Sequence, residues 1–105
     1  MKHLLTAALL FAIAVATADS DPTLTIRDHR FQPAELIVPA GQKIKLIIVN
    51  QDDTAEEFDS HTLNREKVIP ANSSSTLYIG PLKPGRYPFV GEFHNQTAQG
   101  TIVAQ

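Results

Sequence analysis

From Thr23 to Ala104 the sequence is a succession of short runs rich in Val, Ile, Leu, Thr and aromatic residues, each closed by a turn signal. No stretch of this region sustains a helical period for more than a turn or two, so the pattern predicts strands throughout. "TLTIRDHRFQP" reads as a first strand, with Leu24 and Ile26 alternating against Thr23, Thr25 and Arg27 and ending near Pro33. "ELIVPAGQ" gives a second strand, closed by Pro39 and a turn around Gly41. "KIKLIIVN" becomes continuously apolar, the expectation for a central strand covered on both faces, and stops at Asn50 before the polar loop "NQDDTA". "EEFDS" resumes extended structure, whereas "HTLNREKVIP" accommodates either a turn of helix or a strand near Lys67 to Ile69. "ANSSSTLYIG" predicts a turn and a strand with Leu77 and Ile79 on one face. "PLKPGRYPFV" predicts a turn at Pro84-Gly85 and a strand with Tyr87 and Phe89 inward; "GTIVA" closes the chain. Seven or eight short strands at this spacing imply an all-β, two-sheet sandwich with Greek-key connections.

The first 18 residues read differently. Lys2 and His3 precede the nearly all-apolar Leu4 to Val15, and Ala16-Thr17-Ala18 has the small-x-small pattern of a signal-peptidase site. An apolar run of about 12 residues is short for a bilayer span, which takes roughly 20. Residues 1–18 are therefore expected to be a signal peptide and residues 19–105 a single domain, soluble after signal cleavage and located outside the cytoplasm. The chain has no cysteine, and its one methionine is Met1, so after cleavage neither thiolate nor thioether is available to a metal. A site would have to be built from nitrogen and oxygen, and the core must hold without disulfides. Without Lys2, eight basic residues face eleven acidic ones, a net −3. That balance gives no reason to expect a nucleic-acid partner, which calls for clustered Lys and Arg.

Several motifs fall in a telling order. Phe31 to Gly41 fits F-x-P-x-x-I/L-x-V-x-x-G, the strand end "VNQDD" spans Val49 to Asp53, Pro84 to Phe89 fits P-G-x-Y-x-F, and His94 precedes "QGTIV" at Gln99 to Val103. Together they resemble the cupredoxins over nearly the whole chain beyond residue 18, which implies a cupredoxin-like Greek-key β-sandwich. In that family a blue-copper site takes one His after the loop that follows the Asn, then Cys, His and Met from the last loop. Carried over position by position, the first His falls on Glu56, the Cys on Gly91, the second His on His94 and the Met at or near Ala98. One position of four matches, so the resemblance does not extend to blue-copper electron transfer.

Glu56 and Glu57 stand on one of the two loops that meet at the copper end in the family, and Glu92 and His94 on the other. In extended geometry Glu92 and His94 project to one side, while alternation points Glu57 away from Glu56. One His with carboxylates is a hard donor set suited to Fe, Mn, Zn or Cu(II). His94, Glu56, Glu92, Glu57 and, five residues beyond Glu56, His61 are the candidate metal-binding residues; His29 in "RDHRF" reads as a structural or surface residue.

"EEFDSHTLNREKVIP", "IGPLKPGRYPFVGEFH" and "TAQGTIVAQ" further resemble small periplasmic cupredoxin-like proteins of bacterial ferrous-iron uptake, related to the cupredoxin domain of the EfeO type. That resemblance implies a periplasmic protein, monomer or dimer, that binds a metal ion, iron or copper. It would bind iron or help oxidise it before permeation, and deliver it to periplasmic or membrane iron-transport components. The alternative is a metal-free interaction subunit of a transport or redox complex, docking through the acidic "DDTAEE" loop at residues 52–57. No nucleophile elbow or other hydrolase signature is present.

Overall fold

The computed structural model describes residues 20–105; the expected signal peptide, residues 1–18, lies outside them. Among the described residues nine strands and one short 3-10 helix follow one another: β1 (Thr23–Arg27), β2 (Arg30–Gln32), β3 (Glu35–Val38), β4 (Ile44–Asn50), β5 (Glu56–Ser60), β6 (Arg65–Ile69), β7 (Ser73–Ile79), β8 (Gly85–Gly91), the 3-10 turn Glu92–His94, and β9 (Gln99–Ala104). They form two sheets, one of four strands in the order β2-β1-β4-β7 and one of five in the order β3-β9-β8-β5-β6. β1 pairs β4 and β3 pairs β9 in parallel; every other pairing is antiparallel. The chain crosses between the sheets at β2–β3, β3–β4, β4–β5, β6–β7 and β7–β8, whereas β1–β2, β5–β6 and β8–β9 stay within one sheet.

Alternation decides which residues meet between the sheets. Leu24, Ile26, Leu46, Ile48, Leu77 and Ile79 face inward from the four-stranded sheet, against Val38, Phe58, Ile69, Phe89 and Ile102 from the other; all are buried. Phe31 stands edge-on to Phe89, ring centroids 4.9 Å apart, and Phe89 lies 5.0 Å from Phe58. Burial of each such ring contributes about 1.5–3 kcal/mol. Gly100 makes room for this cluster, because a Cβ there would lie 2.4 Å from Cζ of Phe89.

Two features depart from the sequence-based reading, the extra hairpin and the cover of β4, and one open alternative is settled. The ninth strand arises because "TLTIRDHRFQP" is two strands, β1 and β2, joined by a tight turn at Asp28 and His29. Both residues have positive φ, 52° and 57°, as a two-residue hairpin turn of the I′ class requires. β4 is covered on one face and only partly on the other, since Ile47 and Val49 are half-buried while Ile44, Leu46 and Ile48 are buried. "HTLNREKVIP" forms a turn at 61–64 and then β6, with no helix. Tyr87 is half-buried and packs on the core, and Phe89 lies within it.

One buried side chain sets the end of the sandwich where the loops gather. Asn50, 1% exposed, donates through Nδ2 to the carbonyls of Thr54 (2.9 Å), Ile69 (3.1 Å) and Pro70 (3.3 Å). Its Oδ1 accepts from the Asp52 amide at 3.0 Å. The amide thereby fixes the loop between β4 and β5 and clasps the four-stranded sheet to the end of β6.

Candidate functional site

Three loops converge at this end: the β1–β2 turn, the β4–β5 loop and the β8–β9 connection. Asp52, held by Asn50, reaches the turn and accepts from the amides of Asp28 (Oδ1, 2.8 Å) and His29 (Oδ2, 2.9 Å). Left-handed backbone at a residue other than Gly costs roughly 1–2 kcal/mol, and these two bonds offset it. Burial raises the pKa of the Asp52 carboxyl, but the amides of His29 and Asp28 and the charges of His29 and His94 outweigh it and leave the pKa below its ordinary value. His29 Nδ1 stands 3.4 Å from Oδ2 of the same carboxylate.

Glu56 opens β5 with its side chain directed inward, 1% exposed. Its Oε2 accepts from the amides of Glu57 (3.0 Å) and Phe93 (2.8 Å), and its Oε1 meets Nδ1 of His94 at 2.7 Å. A buried carboxylate is costly unless fully hydrogen-bonded, and here every partner is present. The connection beyond β8 is closed by Ala98 N to His94 O at 2.9 Å and Gly91 N to Ala98 O at 2.7 Å. Thr97 Oγ1 donates to the His29 carbonyl at 2.6 Å, tying the connection to the hairpin turn.

These anchors bring the imidazoles of His29 and His94 face to face, centroids 3.6 Å apart and planes 11° from parallel. The side chains are 43% and 28% exposed, and each Nδ1 faces its own carboxylate. An exposed apolar ring, Phe93, borders the pair, with Asn95, Gln96 and Thr97 completing the surrounding depression.

Of the residues singled out from sequence, the structure joins Glu56 and His94 and separates the rest. Glu92 is exposed in the 3-10 turn. Glu57 lies on the outer face of β5, where burial and the charges of Glu66, Asp59 and Glu92, with a hydrogen bond to Glu66, raise its carboxyl pKa. His61 stands beyond the far end of β5, roughly 16 Å from Glu56 at 3.3 Å per residue. Among the described residues no group of three or more His, Asp or Glu side chains is placed to hold a metal ion. The expected cluster of one His with several carboxylates is thus reduced to the Glu56–His94 pair, because alternation along β5 and the 3-10 turn send Glu57 and Glu92 outward. His29, read from sequence as structural or surface, lies against His94. No local motif announced it, because Asp28-His29 lacks the glycine that usually marks such a turn.

An uncharacterized protein of Rickettsia prowazekii (strain Madrid E) is 51% identical over 80 residues, 76% of this chain and 64% of that protein, so the chain spans just under two thirds of its length. Among solved structures, amicyanin from Paracoccus versutus is similar with a TM-score of 0.64 at 12% identity, covering 88% of each chain. Auracyanin A, a "blue" copper protein from Chloroflexus aurantiacus, is similar with a TM-score of 0.66 at 14% identity, over 79% of this chain and 96% of its own. At these identities the likeness shows the fold.

A blue-copper centre does not fit the residues present. Gly91 holds the thiolate position, and a Cβ on it would lie 2.6 Å from both Cδ of Glu56 and Cβ of Ala98. The Glu56 carboxylate therefore crowds any side chain at this position, and the chain has no cysteine to supply a thiolate. The fold and the motif frame are nonetheless continuous along the molecule, and the family model of the cupredoxin-like domain matches residues 2–104; the chain belongs to that family.

Proposed function

We propose that this protein is an exported, periplasmic metal-binding protein that takes up iron or copper at the His94 end of the sandwich. In this reading it passes iron to periplasmic or membrane transport components and is not a blue-copper electron carrier. The observation that supports this is the bond from His94 Nδ1 to the buried Glu56 carboxylate. A carboxylate on one ring nitrogen fixes the tautomer that leaves Nε2 with a free lone pair and raises its basicity, the arrangement found behind metal-bound histidines. Calorimetric titration with Fe(II), Cu(II) and Zn(II) tests it. Binding that is lost in His94→Ala supports the reading; binding no tighter than about 1 mM in parent and variant alike ends it.

A second reading, the metal-free interaction subunit, is favoured by a different observation, the outer acidic face of Glu57, Asp59, Glu66 and Glu92, whose mutual repulsion is visible at Glu57. The "DDTAEE" loop itself is a poor docking edge, because Asp52 and Glu56 are turned inward to cap amides. A partner lost on Glu57→Lys with Glu66→Lys, and retained with chelator and with His94→Ala, supports this reading; loss with chelator counts against it.

A further inference from the structure

We infer that His29 is the second nitrogen ligand of a two-histidine site, shared with His94, for a divalent ion of the Cu(II) and Zn(II) class; this rests on the reading of His94 as a metal-binding residue. Three independent features converge on it. The two rings, contributed by loops 65 residues apart in sequence, are stacked at 3.6 Å. Both present Nδ1 to a carboxylate, His94 to Glu56 at 2.7 Å and His29 to Asp52 at 3.4 Å, and neither Nε2 has a hydrogen-bond partner among the described residues. Thr97 Oγ1 donates to the His29 carbonyl at 2.6 Å, so the turn that carries His29 is tied directly to the connection that carries His94.

The spacing suits the chemistry. Two nitrogens each about 2.05 Å from one tetrahedral ion lie about 3.3 Å apart, and the ring centroids here lie 3.6 Å apart. Parallel rings must splay for both Nε2 lone pairs to point at one ion, so binding would open the stack by rotation about the side-chain torsions. Two neutral imidazoles favour Cu(II) most strongly among divalent first-row ions and also suit Zn(II). Water would fill the remaining positions, since the depression is open and no third His, Asp or Glu side chain is placed there.

The test titrates the protein with Cu(II) alone and Zn(II) alone, reading affinity by calorimetry and nitrogen coordination by electron paramagnetic resonance of the Cu(II) form. His29→Asn keeps a residue that tolerates the left-handed turn, and amide NMR spectra confirm that the fold is retained. The expected result is two-nitrogen coupling in the parent, one-nitrogen coupling in His29→Asn, and a loss of about tenfold or more in Cu(II) affinity. Glu56→Gln provides a second arm. Its amide oxygen still accepts from Glu57 and Phe93 while its NH₂ donates to His94 Nδ1, which moves the proton to Nε2 and costs about 10–100-fold in affinity. Parent-like affinity and coupling in His29→Asn overturn the inference and leave the His94 reading standing. Absence of binding in the parent overturns both.

Discussion

Replacing Glu56 by Ala tests whether one buried carboxylate holds the site end of the molecule together. The variant leaves the amides of Glu57 and Phe93 without their acceptor and frees Nδ1 of His94. An unsatisfied amide costs about 1–3 kcal/mol, and a hydrogen bond to a charged group contributes about 1.5–3 kcal/mol. Relief from burying a carboxylate and entry of water into the vacated space offset part of this, leaving an expected loss of about 3–5 kcal/mol. For a domain of this size that lowers Tm by roughly 12 °C or more. Glu56→Gln keeps the shape and every partner and should stay within about 1 kcal/mol of the parent. Urea denaturation of the three proteins reads the difference, and hydrogen exchange at the Phe93 amide shows where it arises, with protection lost in the Ala variant and kept in the Gln variant. An Ala variant within about 1 kcal/mol of the parent, or a Gln variant as unstable as Ala, would refute the reasoning.

Other outcomes follow from the same geometry. Gly91→Ala has an acceptable backbone, φ −91° and ψ 111°, but its Cβ collides with Ala98 and Glu56, so it should cost about 1–3 kcal/mol. Because Glu56 is one of the two obstacles, the Gly91→Ala penalty should shrink in a Glu56→Ala background, a non-additivity readable in a double-mutant cycle. Glu57 has a folded-state pKa above its ordinary value, so ionisation opposes folding. Glu57→Gln should therefore be more stable than the parent at neutral pH, and the gain should disappear as pH falls below about 4, where the unfolded carboxyl is also protonated. Denaturation midpoints across pH and salt check this. Asp52→Ala removes the acceptor for both turn amides and should cost about 1–2 kcal/mol, with the His29 and His94 ring-proton shifts moving toward unstacked values.

Period-two alternation made most of the strands readable, because each inward residue such as Leu24, Phe58 or Ile102 is paired with an outward neighbour. It could not reveal the hairpin at Asp28-His29. That turn has no Gly, and its stability comes from Asp52, 24 residues away, so no local pattern encodes it. The site was legible where the motif frame carried it: Glu56, Gly91, His94 and Ala98 do meet. Glu92 was misdirected because the chain leaves extended geometry at Gly91 and enters a 3-10 turn, which breaks the alternation that placed it beside His94. His29 lay beyond reach for the same reason as the turn that bears it.

Asn50 has a consequence for exchange. One amide group bonds Thr54, Ile69 and Pro70 and receives Asp52, which holds the turn that carries His29, so that turn is braced before any ligand arrives. The softer coordinate is the side-chain rotation of His29, 43% exposed, since exposed side chains relax in picoseconds to nanoseconds while His94 is held by Glu56. A metal ion at the proposed site would sit in an open depression, so it could leave without the fold opening.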